Sequence, residues 1–427
     1  MKTNLSLFAA FAIFMTACSS NGDTPAIDDG QKAPELAPKL ELTRTISLTD
    51  HENTINTSIN QFSFKFLNQA ALSAEDFDGN DGNIAVSPLS TSICLAMVAN
   101  SGDLESEKAI ANMLGEVNLQ QLNSTCNKLM RFLPSTTNGA ILTIANSAWY
   151  NTLYTPSGNW AENLASTFGS HIKGIEFADK NVALINSWCS ENTNGHIPSI
   201  IDRLRPEGVV HLLNALYFQG KWVMDFDPDL TDSAEFNGEK QTSEVRMMHA
   251  TMPLEYASNA DFANISLPFY GNSRIVFVMP SAEKSATELA KTFSYADWHT
   301  AISKAEKTKV NLSLPKFKAD CSADISDILY KLGLPEAFDL DKMEVKDQFG
   351  RILNGAPIVH HKTSVSIEEK GAEAAAITDA EIVVTSPGDA RPEDINEVTL
   401  TFDRPFLYFI ENTTTGSILI AGIINNL

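Results

Sequence analysis

Two kinds of apolar pattern occur along the chain. Apolar residues recur every three or four positions in an early and a late segment, which predicts helices at Ile55, Ile59, Phe62, Phe66 and Leu67, and at Ile325, Ile328, Leu329 and Leu332. Runs of β-branched and aromatic residues, typical of strands, occupy Val210–Phe218, Ile275–Met279, Val310–Leu314 and Leu407–Ile410. Helical patterns dominate early and strand patterns dominate late, without regular alternation, which predicts an α+β fold.

A late segment, from Ala372 to Val384, has the alternating pattern of a strand although its surroundings are typical of a loop. Every second position is small or apolar, with one threonine, at Ala372, Ala374, Ala376, Thr378, Ala380, Ile382 and Val384. The intervening positions carry the charges, at Glu373, Asp379 and Glu381. An extended chain with this pattern can place one face on a core and the other in water. A helix, favoured by Ala and Glu, and a surface loop are the alternatives.

The first residues have the organisation of a secretory signal. Lys2 precedes the apolar stretch Leu5–Met15, which is too short to span a bilayer. The stretch leads into Thr16-Ala17-Cys18-Ser19, which resembles a bacterial lipobox, where the signal peptide is cut before a cysteine that is then acylated. We therefore expect a signal peptide over 1–17 and a lipid on Cys18. Because Ser19 is not Asp, the expected location is the outer membrane of a bacterial cell envelope. An ordinary signal peptide is the alternative.

The residues after this signal divide by composition into a linker and a domain. Small residues, acids and prolines at positions 25, 34 and 38 predict a flexible linker over 18–50, ahead of one domain over 51–427. The formal net charge is −22, and losing residues 1–17 removes one Lys and no acid, which makes it −23. Such acidity argues against nucleic-acid binding.

The chain lacks the short motifs of common enzyme classes. It has no GxSxG elbow, HExxH helix motif, Walker A loop or strand-linked GxGxxG. His360 and His361 are adjacent and would point to opposite faces of a strand, so they cannot easily share a metal or a dyad. Four cysteines beside apolar residues predict buried thiols, at Cys94, Cys126, Cys189 and Cys321. We expect no enzyme activity, no metal and no cofactor.

Several blocks carry a resemblance to one family. Residues 369–376, Glu-Lys-Gly-Ala-Glu-Ala-Ala-Ala, resemble the hinge of the serpin reactive loop. Further similar blocks follow in family order: Asn83–Ser90, Asn186–Gly195, Asn214–Trp222, His361-Lys362, Phe402–Tyr408 and Gly416–Gly422. Any one block is weak evidence, but their order across 51–427 makes a chance resemblance implausible.

The resemblance implies a metastable fold with about nine helices, three β-sheets and an exposed reactive loop. A protease would cut the loop and form an acyl-enzyme, and the hinge would then insert into the central sheet and distort the trapped protease. The implied partners are target proteases in covalent complex, and the implied state is a monomer. The alternative is a serpin-fold binding module on the cell envelope that inhibits nothing.

The resemblance also assigns site residues. The hinge comprises Glu369, Gly371, Ala372, Glu373, Ala374, Ala375, Ala376 and Thr378. The shutter and breach comprise Ser87, Ser90, Asn214, Trp222 and His361. The family offset places the reactive bond fourteen residues after Gly371, between Thr385 and Ser386. A small β-branched residue there favours elastase-like or subtilisin-like serine proteases, with papain-like cysteine proteases also possible. Arg391, which precedes a proline, is the rival bait residue.

Overall fold

The computed structural model describes residues 47–73, 82–100, 104–134, 139–154, 160–206, 208–334, 344–346, 352–354, 358–372 and 396–427. Within these ranges the chain forms nine α-helices. They are α1 (Asp50–Leu72), α2 (Pro88–Ala99), α3 (Leu104–Met113), α4 (Leu119–Phe132), α5 (Trp160–Phe168), α6 (Val182–Asn192), α7 (Ala286–Thr292), α8 (Tyr295–Ser303) and α9 (Ser326–Lys331). No helix in these ranges is both long and apolar enough to cross a membrane.

Seventeen strands are assigned in the same ranges. They are β1 (Ile84–Val86), β2 (Ala140–Asn151), β3 (His171–Ile175), β4 (Val210–Lys221), β5 (Asp232–Asn237), β6 (Thr242–Ser258), β7 (Phe262–Phe269), β8 (Ser273–Pro280), β9 (Glu306–Pro315), β10 (Phe317–Asp324), β11 (Glu344–Lys346), β12 (Ile352–Asn354), β13 (Ile358–Glu368), β14 (Gly371–Ala372), β15 (Glu397–Thr401), β16 (Phe406–Asn412) and β17 (Ser417–Ile424).

The strands form three sheets. The first sheet has nine strands, of which eight run in the order β1-β17-β16-β8-β7-β6-β9-β15 and the ninth, β5, pairs with β6. Six strands run in the order β10-β13-β14-β4-β2-β3, with a direct β13–β4 pairing as well. Strands β11 and β12 pair with each other. The long strand β6 pairs with β9 over ten residues and with β7 over four, so it joins what would otherwise be two sheets.

Sequence-local signals explain where several helices begin. Helix α1 starts with a capping box, in which Thr49 and Glu52 satisfy each other's backbone N–H groups. Helix α2 has Ser87 as its N-cap and Pro88 in its first turn. Every residue of α2 is buried, because the helix runs through the main core beneath the six-stranded sheet. A second, smaller core lies between this sheet and α6, built on Trp149, Trp188 and Tyr217.

The α+β class, with nine helices and three sheets among the described residues, confirms the predicted fold. The predicted helix at Ile55–Leu67 lies in α1, and each of the four predicted strands lies inside an observed strand that extends further at one or both ends. The four cysteines of the domain are buried as predicted, and burial raises the pKa of Cys94 and Cys126 to about 12. Residues 1–46, with the predicted signal peptide, Cys18 and most of the linker, lie outside the described residues.

Candidate functional site

Strands β4 and β13 are neighbours at one end of the six-stranded sheet and separated at the other. They pair in parallel from Ile358↔His211 to Lys362↔Ala215. Further along, Ala372 of β14 pairs with Ile367 on one side and Gly220 on the other. The separation of the two strands therefore grows from one strand spacing, about 4.8 Å, to two, about 9.6 Å. The boundary between β4 and β13, here called the seam, has a closed end and an open end.

The hinge begins inside the open end of the seam. Gly371 has φ of +143°, a conformation that side chains disfavour, and a Cβ there would lie 1.9 Å from the carbonyl oxygen of Gly220. Only glycine allows this close approach of the two backbones. Ala372 follows, is 1% exposed and belongs to the main core together with its strand partner Ile367. The first alternate position of the period-two segment thus faces the core.

The turn between β13 and β14 is held by backbone acceptors. The indole Nε1 of Trp222 donates to the carbonyl oxygen of Glu368 at 2.9 Å, and the backbone N–H of Trp222 donates to that of Lys370 at 3.1 Å. Phe226 N–H donates to the Glu369 carbonyl at 3.0 Å. Trp222 is itself buried and stacks on Phe269, with ring centroids 4.3 Å apart. The segment after β4 therefore positions the start of the hinge.

The side chain of Glu369 fastens the same turn. Its carboxylate lies 2.8 Å from Lys316 Nζ and accepts a hydrogen bond of 3.1 Å from Thr231 Oγ1. Partial burial acts to raise the pKa of Glu369, but the hydrogen bonds from Lys316 and Thr231 outweigh it and hold the pKa below its ordinary value. Glu369 is thus a carboxylate at neutral pH and bridges the hinge turn to the residue that separates β9 from β10.

At the closed end, His361 links β13 to the helix beneath the sheet. Its Nε2 accepts a hydrogen bond of 2.9 Å from the backbone N–H of Ser87 and lies 2.8 Å from Thr363 Oγ1. Two donors at Nε2 require a neutral ring with its proton on Nδ1. Full burial lowers the pKa of His361 to about 4, so the ring stays neutral at physiological pH. Ser87 Oγ in turn donates to the carbonyl oxygen of Leu419 at 2.7 Å.

Asn214 completes this cluster from the other side of the seam. It is the strand partner of His361, and its amide donates to Asn146 Oδ1 on β2. Ser90, one turn into α2, is buried, and its Oγ has no hydrogen-bond partner among the described residues. Side chains from three strands and one helix therefore meet where β4 and β13 are still paired.

The structure divides the predicted site residues into two groups. Ser87, Ser90, Asn214 and His361 lie around the closed end, and Trp222, Glu369, Gly371 and Ala372 lie at the open end. Six residues of strand, about 20 Å, separate His361 from Ile367 at the two ends. Outside the described residues are Cys18, Glu373, Ala374, Ala375, Ala376, Thr378, Thr385, Ser386 and Arg391.

Sequence reasoning missed several partners of these residues. Lys316, Thr231 and Asn146 carry no local pattern, and each contacts a residue that is distant along the chain. The segment after α6 was also missed: it crosses the seam, where Lys362 Nζ donates to Ser199 Oγ at 3.4 Å. The part of the chain that the structure describes holds no cluster of three or more His, Cys, Asp or Glu side chains able to bind a metal.

Comparison with known proteins agrees with this architecture. The family model described as "Serpin (serine protease inhibitor)" matches residues 57–427. "Serine protease inhibitor 2" of Anopheles gambiae is 25% identical over 384 residues, covering 86% of this chain and 91% of the relative. "Intracellular coagulation inhibitor 2" of Tachypleus tridentatus is 28% identical over 390 residues, covering 88% and 92%.

A solved structure also matches closely in shape. The native state of tengpin, a thermophilic serpin, superposes with a TM-score of 0.77 at 26% identity. The match covers 93% of this chain and all of the tengpin chain.

Proposed function

The chain belongs to the serpin family, and we propose that it is a suicide-substrate inhibitor of serine proteases that works by inserting its reactive loop into the seam. The relatives named above carry inhibitor names, which supports protease inhibition as the general activity. The observation that carries the proposal is β14, since two residues of the hinge already lie between β13 and β4. The next residues of the chain need only continue along the same gap.

The proposed reaction starts at the bond between Thr385 and Ser386. The protease serine oxygen attacks the Thr385 carbonyl carbon, the peptide bond breaks, and Ser386 leaves as a new amino terminus carrying the proton. An ester then joins the protease to Thr385. Insertion of about fourteen residues moves that ester by roughly 45 Å, which drags the protease across the inhibitor before water can hydrolyse the ester.

The driving force follows from the chain's own pattern. A central strand pairs on both edges, and each net hydrogen bond contributes about 1 kcal/mol. Ala372 faces the main core, and strand periodicity would bring Ala374, Ala376, Thr378, Ala380, Ile382 and Val384 to the same face. These side chains are small or apolar, so they can enter the core without leaving a charge unpaired.

Target choice is proposed from the residues before the bond. Thr385 is small and β-branched and follows Ile382-Val383-Val384. A shallow apolar pocket accepts this residue, whereas a pocket with a buried carboxylate would leave its charge unpaired. We therefore assign elastase-like or subtilisin-like proteases as targets, with papain-like cysteine proteases as a second class.

Location is proposed from the N-terminus. Cleavage before Cys18 and acylation of that residue would tether a monomeric inhibitor to a bacterial envelope, on the outer membrane, through a linker over 18–50. More than one acyl chain gives stable rather than marginal membrane binding. Cys18→Ala should move the protein from the membrane fraction to the soluble fraction; unchanged partition would contradict the anchor.

The test of inhibition is a covalent complex. The protein is mixed with an elastase-like enzyme and, separately, with trypsin, and the products are resolved in SDS. We expect an SDS-stable complex with the elastase-like enzyme and a released fragment beginning at Ser386. A complex with trypsin alone, or a fragment beginning after Arg391, would overturn the bond assignment. Cleavage without any complex would favour a non-inhibitory binding module.

A further inference from the structure

A second pair of side chains joins β4 to β13 at the closed end of the seam. His211 of β4 and His360 of β13 lie on the face that α6 covers, opposite to the face of His361. His360 Nε2 and His211 Nδ1 are 3.1 Å apart, and the two rings stack at 11° with centroids 5.2 Å apart. This is a side-chain hydrogen bond across the junction that must open before a further strand can enter.

The pair is enclosed by both apolar and charged groups. His211 is 1% exposed, and the ring of Phe177 meets it edge-on at 5.0 Å. Three charged groups act on the pair from two segments, namely Arg205 and Asp202 in the segment after α6 and Asp324 at the end of β10. Lys362 also lies on this face and bonds to Ser199 instead. The charges of these two acids and two bases cancel, so no net negative charge around the rings favours a protonated pair.

The hydrogen bond depends on a single proton between the rings. One facing nitrogen must donate and the other must accept. His211 Nε2 is buried and has no partner among the described residues, so a proton there would be an unsatisfied buried donor. The favoured arrangement therefore puts the proton of His211 on Nδ1, where it donates to His360 Nε2, and leaves both rings neutral.

Protonation of both rings removes the acceptor, because neither facing nitrogen then has a free lone pair. With both rings protonated, two N–H groups and two positive charges would face each other across 3.1 Å. The structure resists this: burial, together with His360 and Arg205, lowers the pKa of His211 to about 3. Burial also lowers the pKa of His360, with Asp324 opposing it and Arg205 adding to it. Protons therefore bind more readily once the rings separate and regain water.

We propose that His211 and His360 form an acid-sensitive clasp, which holds β4 against β13 at neutral pH and releases the seam in acid, so that the uncut reactive loop enters the sheet and the inhibitor becomes inert. The loss of inhibition in acid rests on the proposed function, but the release of the seam itself does not. If one histidine regains its ordinary pKa near 6.5 on release, the open state gains about a hundredfold at pH 4.5.

Each of two variants keeps the hydrogen bond and removes the titration of one histidine of the pair. In His360→Gln the amide oxygen takes the place of Nε2 as the acceptor, and in His211→Asn the amide nitrogen takes the place of Nδ1 as the donor. Neither amide binds a proton in this pH range. The matched control is His249→Gln, which removes a part-exposed histidine that bonds to Asp232 and Ser313, away from the seam.

Each protein is held at pH 4.5 or pH 7.5, returned to pH 7.5 and assayed over time by thermal unfolding, which reports conversion to a more stable form without any protease. We expect wild type and His249→Gln to convert about a hundredfold faster at pH 4.5 than at pH 7.5. In His360→Gln and His211→Asn, this acceleration should be smaller by a factor of about ten or more. Any residual acceleration comes from His361 and from the histidine of the pair that each variant retains. Full wild-type acceleration in both clasp variants, or none in wild type, would overturn the clasp.

The failure of the clasp and that of the proposed function remain distinguishable. Covalent-complex yield is measured on the same samples with an elastase-like protease. If acid conversion depends on the pair but no sample forms a complex with any protease, the clasp stands and inhibition is refuted. If complexes form but acid conversion is the same in wild type and in both clasp variants, inhibition stands and the clasp is refuted.

Discussion

The two ends of the seam hold the same pair of strands by different means. At the open end, the turn and β14 are held by backbone hydrogen bonds from Trp222 and Phe226 and by the Glu369 carboxylate. At the closed end, neutral histidines that are buried or part-buried join the strands to each other and to α2. The open end already accommodates an added strand, whereas the closed end must give up specific hydrogen bonds. Insertion therefore has a built-in direction, from the hinge toward the histidines.

The largest effect should come from a charge on the inserting face. Ala374→Arg or Ala376→Arg would bury an unpaired guanidinium against the main core as the strand advances. We expect the yield of covalent complex to fall about tenfold or more, with cleavage of the loop unimpaired. Ala375→Arg is the matched control, because period two turns that position outward. Equal loss at positions 374 and 375 would show that the faces are wrongly assigned.

The closed end should be sensitive to acid through His361. Its folded pKa of about 4 lies below the ordinary value near 6.5, so the unfolded chain binds the proton first. The stabilisation is complete above pH 6.5 and is lost as pH falls toward 4, by up to about 3 kcal/mol.

His361→Gln should flatten part of that slope in denaturant unfolding measured from pH 7 to pH 4. His51→Gln, at an exposed position on α1, should leave it unchanged. If the slopes of the His361→Gln variant and wild type coincide, His361 is not the titrating group that the closed end depends on.

The open end should respond to the backbone at Gly371. Gly371→Ala adds both a disfavoured φ and a clash with the Gly220 carbonyl, so we expect β14 to leave the seam at a cost of about 2 kcal/mol. The control is Gly333→Ala, which has φ of +111° but open space around a Cβ, and should cost about 1 kcal/mol. Unchanged hydrogen-exchange protection of the Ala372 amide in Gly371→Ala would refute this account.

The smallest effect should come from the carboxylate of the hinge turn. Glu369→Gln keeps the shape but weakens the hydrogen bonds from Lys316 and Thr231, and we expect a loss of about 1 kcal/mol in unfolding free energy. Glu397→Gln, in an exposed pair with Lys309, should lose less. Equal losses in the two variants would mean that the turn gains nothing from the part-buried position of Glu369.

Secondary-structure elements and the hinge could be predicted from the sequence, but the contacts along the seam could not. The spacing at Ile55–Leu67 and the glycine at 371 are local signals, and each has a matching feature in α1 and β14. The opposite faces of His360 and His361 also followed from strand geometry alone. The contacts of His361 with Ser87 and of Glu369 with Lys316 depend on the register of strands far apart in the chain, and no local pattern encodes that register.

The joining of two sheets through β6 was unpredictable for a related reason. Strand β6 runs for seventeen residues, and which neighbour it pairs with changes along its length. Alternating side chains mark such a segment as a strand but do not say which strand lies beside it. The role of His211 was hidden in the same way, because its partner His360 lies 149 residues away.

After cleavage, the reactive loop should become a strand of the six-stranded sheet between β4 and β13. The most direct measurement compares thermal unfolding of the intact protein with that of the same protein after complete cleavage of the loop by a protease. We expect the unfolding midpoint to rise by about 10 °C or more, because the inserted strand adds hydrogen bonds on both edges and buries its small apolar face. An unchanged or lowered midpoint after cleavage would contradict it.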